Sequence, residues 1–157
     1  KYVVLSHFIN NEKEDIQNIK TEYSPECSLS DKKVKADVYV KNKKIAIEIE
    51  TLYGTKYPIA KLKEKIENYR NSGVNELWIV IPNLQAFLFL KDILKIRSDY
   101  RKNGMKVEVF VLDLTGEGQE LINGKKAKPG LIKLIDVVRF MKEIGLNNIE
   151  LLRKLKR

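Results

Sequence analysis

Hydrophobic and polar positions alternate over two short stretches near the start of the chain, VKADVYV (34–40) and KIAIEIE (44–50). Period-2 alternation is the mark of a strand with two unlike faces. A break at Asn42–Lys43 predicts an antiparallel hairpin. A two-residue turn there pairs Val40 with Ile45, Tyr39 with Ala46, Val38 with Ile47, and Asp37 with Glu48. One face carries Ala36, Val38, Val40, Ile45, Ile47 and Ile49 and must be core. The other carries Lys35, Asp37, Tyr39, Ala46, Glu48 and Glu50.

Downstream the period changes. YPIAKLKEKIENYRNSG (57–73) reads as a helix, with Pro58 in its first turn and Gly73 as its stop. ELWIVIP (76–82) is a near-continuous apolar run, as expected of a strand buried on both faces. A long helix is predicted over 84–104 and a strand over 106–113. Residues 114–130 are turn-rich. Residues 131–145 return to helical spacing, and 146–157 read as a last, basic helix. Before the hairpin, 16–23 suggests a strand, 7–15 the end or start of a helix, and 24–33 a loop. Strands alternating with helices after a hairpin predict an α/β fold: a mixed sheet with an antiparallel hairpin and βαβ crossovers, flanked by helices. The expected organisation is an α/β core over 1–113 and a loop plus basic helical extension over 114–157, packed on it or separate. The start at Lys1 rather than Met is read as a sign that residues precede it.

Composition narrows the chemistry. A chain of 157 residues with 43% hydrophobic content can bury one core. No apolar run nears the roughly 20 residues that span a bilayer, so no membrane partner is expected. One cysteine, Cys27, excludes an internal disulfide and a cysteine-built zinc site, and fits a reducing cytoplasm. The single His7 reads as a surface or capping residue. One His and one Cys leave no material for a catalytic triad, so any metal needs oxygen ligands, which favours magnesium or manganese.

The net charge is +9, and residues 125–157 hold ten basic against three acidic side chains. That surplus is an electrostatic footprint for a polyanion, with DNA as the expected partner. Lys125, Lys126, Lys128, Arg153, Lys154, Lys156 and Arg157 are its candidate contacts. A Lys- and Glu-rich thermophile surface is the competing reading.

Against that excess of base, three carboxylates on one hairpin face stand out. Asp37 opposite Glu48 is a like-charge pair, which destabilises a sheet unless something cationic lies between. Magnesium or manganese, held by Asp37, Glu48 and the Ile49 backbone carbonyl, would turn repulsion into coordination and suits phosphodiester hydrolysis. Glu50, two residues on, is placed to orient or deprotonate an attacking water, or to hold a second ion. The alternative is a solvated face with Lys35 and Lys44 as counter-charges.

Asp37, ten intervening residues and then Glu48-Ile49-Glu50 on the second strand of a hairpin, followed by a helix and a buried strand, resembles the PD-(D/E)xK nuclease superfamily. That group includes restriction endonucleases and archaeal Holliday-junction resolvases. The resemblance covers residues 15–113 and is strongest over 34–82. It implies a restriction-endonuclease-like fold, a magnesium-dependent deoxyribonuclease activity, and Asp37 and Glu48 as metal ligands. Glu50 stands where the family usually has lysine, as in some restriction endonucleases of this fold. Other members move the lysine to the next helix. Here Lys61, Lys65 and Tyr69 share one helical face, and several superfamily nucleases carry a polar residue and a tyrosine spaced like Lys65 and Tyr69. Lys61, nearest the helix start, is the first choice. An acid on the first helix often completes such sites, with Glu12 and Glu14 as candidates. A non-catalytic DNA-binding or assembly module is the second reading, and an appendage of a larger ATPase or transposition protein the third. A homodimer or a larger host protein is left open.

Two further patterns carry less. GQELINGKK (118–126) has the wrong spacing for a phosphate-binding loop. Residues 137–157 have the look of a helix-turn-helix about Gly145, against a plain helical hairpin. Trp78, in the apolar run, is expected in the core.

Overall fold

The computed structural model describes residues 1–25 and 34–155. At its centre is a six-stranded mixed sheet whose strand order follows chain order: β1 (Ile19–Tyr23), β2 (Ala36–Val40), β3 (Ile45–Ile49), β4 (Glu76–Val80), β5 (Val107–Asp113) and β6 (Gly130–Lys133). The first three form an antiparallel meander. β4 and β5 continue parallel to β3, and β6 returns antiparallel to β5. The helices are α1 (Tyr2–Ser6), α2 (Pro58–Asn68), α3 (Asn83–Leu88), α4 (Leu90–Lys102), α5 (Glu117–Asn123) and α6 (Leu134–Leu155). Parallel neighbours need crossovers, and α2 supplies the one from β3 to β4, α3 and α4 the one from β4 to β5. No described helix is long and apolar enough to cross a membrane.

The hairpin register is the one its alternation implies: Val38 faces Ile47, Tyr39 faces Ala46 and Val40 faces Ile45. Each face of the sheet has its own core. Tyr39, Ala46, Leu77, Ile79 and Ile81 pack under Leu62 and Ile66 of α2 and Ile93 and Ile96 of α4. Val38, Val40, Ile45, Ile47, Trp78, Val80 and Phe110 pack under Val4 and Phe8, at the chain's start. The uninterrupted apolar run of β4 follows from this, since both of its faces are covered. Each fully buried Leu, Ile or Val contributes about 1.5–3 kcal/mol.

Alternation breaks at one place. Ala36 should share a face with Val38, but it lies in the opposite core. Across β1 the partners Thr21–Val38 and Tyr23–Ala36 leave Glu22 opposite Asp37, and Glu22 has a φ of 51°. A left-handed residue is costly outside glycine. Here it re-aims both strands at the level of Asp37.

Several expectations are corrected. The predicted helix over 84–104 is two helices with Phe89 between them (φ −109°, ψ 21°), because Phe89 and Leu90 turn in against the core while Leu84 and Leu88 stay exposed. Residues 130–133 are a strand, not the start of a helix: Leu131 and Ile132 enter opposite cores, which a strand permits and a helix does not. The turn-rich stretch holds α5, and β6 extends the same sheet as the core. α6 runs through Gly145 without a turn, so neither a helix-turn-helix nor a helical hairpin forms. A mid-helix glycine costs only about 1 kcal/mol against alanine. His7 is buried, not at the surface, and its Nδ1 accepts the Leu131 N–H at 3.2 Å. Burial holds its pKa below the usual value. Trp78 is core, as expected. Cys27 lies outside the described residues.

Candidate active site

β3 ends in alternation: Ile47 and Ile49 turn to one side, and Glu48 and Glu50 to the side that α2 covers. α2 is shaped for that role. Pro58 starts it, and Leu62, Ile66 and Tyr69 go into the core at helical spacing. Lys61 and Lys65 precede the two inward aliphatics, so their stems lie along the covered surface and their ammonium groups reach the carboxylates.

Glu48 and Glu50 are 2% and 4% exposed, a degree of burial that carboxylates tolerate only when paired. Lys65 Nζ lies 2.7 Å from Glu48 Oε2 and also pairs with Glu50 Oε1. Lys61 Nζ is 3.4 Å from Glu50 Oε2. The Tyr69 hydroxyl donates to Glu48 Oε1. Burial raises the Glu48 pKa above the usual carboxylate value, and the bonds from Lys65 and Tyr69 only partly offset it. Burial opposes the charge on Lys65, but its bonds to Glu48 and Glu50 prevail and hold it above the usual lysine value. Burial and the Glu48 charge push the Tyr69 hydroxyl well above its ordinary range, so it remains a donor.

Asp37 takes a different part from the one its register suggests. Its Oδ2 accepts the Ile49 N–H at 2.8 Å, in place of a ladder partner. The carboxylate is thereby held in the plane of the sheet, at the end of β3, near Glu48 and half-buried. Its Oδ1 lies 3.9 Å from Lys1 Nζ, which also pairs with Glu22. A cleft of about 360 Å³ opens beside the cluster, lined by Val34, Lys35, Glu48, Lys65 and Tyr69 among others.

The sequence-predicted residues thus separate into two groups. Asp37, Glu48, Ile49, Glu50, Lys61 and Lys65 come together at one end of β3. The order of the lysines is reversed: Lys65, not Lys61, sits between the two glutamates. Lys35, offered as a counter-charge, pairs instead with Glu22 at 3.1 Å. Glu12 and Glu14 are not at the site. They pair with Lys43 at 3.7 and 3.1 Å, and Glu14 also accepts from Asn42 at 2.7 Å. That is the turn of the hairpin, the far end from Asp37, because the chain runs back along the sheet after α1. Lys125, Lys126 and Lys128 are exposed between α5 and β6. Arg153 and Lys154 fall on the last turns of α6, and their side chains are not described. Lys156 and Arg157 lie outside the described residues.

The donor set suits a hard divalent cation, being all oxygen. Among the described residues no group of three or more His, Cys, Asp or Glu side chains stands close enough to hold an ion. Magnesium would therefore rest on Asp37, Glu48, the Ile49 carbonyl and oxygens from water or phosphate, and Lys65 would have to give up Glu48. A buried acid that the sequence reading missed is Glu108 on β5. It is 3% exposed and clamped by Arg97 at 2.5 and 2.8 Å. The signal was present, since VEV in β5 repeats the apolar–Glu–apolar pattern of IEI in β3.

Compared with family models, with curated proteins and with solved structures, the chain finds no match. The reading of the site therefore rests on its own residues.

Proposed function

We propose that this chain is a magnesium-dependent DNA nuclease domain with a restriction-endonuclease-like fold, cytoplasmic, hydrolysing phosphodiester bonds. One observation carries the reading: Asp37, Glu48, Glu50, Lys61 and Lys65, chosen from sequence for that chemistry, converge at one end of β3 beside an open cleft. The element order supports it, with an antiparallel meander, a helix and then a parallel strand. Bound magnesium would supply Lewis-acid stabilisation of charge on the scissile phosphate. Asp37 and Glu48 would hold it. Glu50 orients the attacking water and takes its proton as oxygen adds to phosphorus and the P–O bond to the leaving group breaks. Lys65, freed from Glu48, and Lys61 face the negative charge that grows on the phosphate oxygens.

A second reading has its own observation. Both oxygens of Glu48 and of Glu50 already have partners on α2 or on Tyr69, which caps its C-terminus. A closed ionic cluster of this kind suits a non-catalytic DNA-binding module that keeps the fold. The two readings part on one experiment, which compares wild type, Asp37→Asn and Glu48→Gln for manganese binding by electron paramagnetic resonance and for nicking of supercoiled and branched DNA. The nuclease reading expects one tight manganese site and cleavage that both substitutions abolish. No manganese site and no cleavage by wild type would leave the binding module.

A further inference from the structure

Most of the chain's seven tyrosines have a place inside the fold. Tyr23 stacks on Tyr39, Tyr69 holds Glu48, and Tyr100 lies against Arg70. Three do not: Tyr2, at the chain's start, is 80% exposed, and Tyr53 and Tyr57 are each 64% exposed on the segment that joins Glu50 to α2. A lone exposed ring needs no explanation. Tyr53 and Tyr57 are bracketed by site residues, Glu50 before them and Lys61 after, and cations are interleaved with them. Lys56 Nζ stands 5.6 Å from the Tyr57 ring centroid, and Lys61 Nζ is 3.4 Å from Glu50. The segment is also anchored. The Glu50 N–H donates to the Val80 carbonyl at 2.9 Å, Leu52 is 4% exposed in the core, and Tyr57 caps the N-terminus of α2, just before Pro58. Both rings are thus presented to solvent on an anchored segment that runs between two site residues, Glu50 and Lys61.

Aromatic faces alternating with ammonium groups match single-stranded nucleic acid, whose bases stack while its phosphates pair with cations. Paired bases hide their faces in the helix stack. We propose that the loop Thr51–Tyr57 grips unpaired nucleotides, which makes the substrate DNA with a single-stranded stretch next to the bond to be cut. This inference rests on the reading of the chain as a DNA-cleaving domain.

The test uses the full chain in EDTA, so that no hydrolysis occurs. Fluorescence anisotropy measures binding of a labelled oligo-dT and of the same strand paired with oligo-dA. The proteins are wild type, Tyr53→Ala, Tyr57→Ala and the two Tyr→Phe variants, with Tyr2→Ala as an exposed control. Each alanine should weaken single-strand binding by about fivefold to a hundredfold, leave the duplex nearly unchanged, and be rescued by phenylalanine, which keeps the stacking face. The proposal is overturned if wild type fails to bind the single strand. It is overturned equally if alanine costs nothing, if it costs both substrates alike, or if phenylalanine is as harmful as alanine. Because no metal is present, stacking loss without any manganese-dependent cleavage sinks the nuclease reading alone. Cleavage with unchanged stacking sinks only this inference.

Discussion

Lys65 serves two buried glutamates at once, and its removal leaves more charge than one helix lysine can balance. Lys65→Ala should cost about 1–3 kcal/mol in urea unfolding, since it strands a desolvated carboxylate. Adding Glu48→Gln should return part of that loss by removing the stranded charge. Strictly additive losses in the double-mutant cycle would show that the two are not coupled. Glu108 behaves in the opposite sense to Glu48. Burial alone would raise its pKa, but the Arg97 guanidinium outweighs it and holds the carboxyl below the usual 4.5. A depressed carboxylate contributes stability above its unfolded pKa and loses it as pH falls through the folded value. The stability gap between wild type and Glu108→Gln should therefore be full at about pH 7 and shrink by about pH 3. A gap that does not change with pH would mean that Arg97 stabilises only by packing.

At the level of elements, β6 is closely fitted to its neighbours. A Cβ on Gly130 would come within 2.6 Å of Asn11 Nδ2, 2.8 Å of His7 Nδ1 and 3.1 Å of Gln119 Nε2. These three side chains join the π-helical turn His7–Asn11, which follows α1, and α5 to the strand, so none can retreat without losing a hydrogen bond. Gly130→Ala should cost about 1–3 kcal/mol, read as a lowered Tm, with the β-sheet circular-dichroism signal kept. A Tm equal to that of wild type would show that the network is loose. This strand is also where the sequence misled. LIKL fits helix and strand patterns equally, and only its two-sided burial decides. The hairpin was legible because period-2 alternation fixes register and the Asn42–Lys43 break fixes the turn. What alternation could not show was its own failure at Asp37, which depends on Glu22 in the neighbouring strand. Nor could helical spacing rank Lys65 above Lys61. That depends on where along β3 the helix lands, a tertiary distance that no local pattern encodes. The acids Glu12 and Glu14 were misplaced for the same reason, since the segment that carries them is placed by a tertiary contact, Phe8 stacked on Trp78.

For the molecule as a whole, the formal charge of +9 is the property that acts at longest range. Binding to duplex DNA should weaken linearly in log–log coordinates with salt, and replacing both Lys125 and Lys126 by alanine should lower the slope by about two. An unchanged slope would remove that loop from the DNA contact. The sheet itself is open, and β1 is one of its outer strands. An outer strand offers unpaired N–H and C=O groups to any other extended chain, and five regular residues would suffice as a template. The left-handed Glu22 interrupts that row after Thr21, and the exposed carboxylate it carries lies between Lys1 and Lys35. The residue that re-aims Asp37 on the inner side thus leaves the outer side too short and too charged for a second molecule to add a strand, so the distortion that shapes the site also guards the protein against aggregation along that edge.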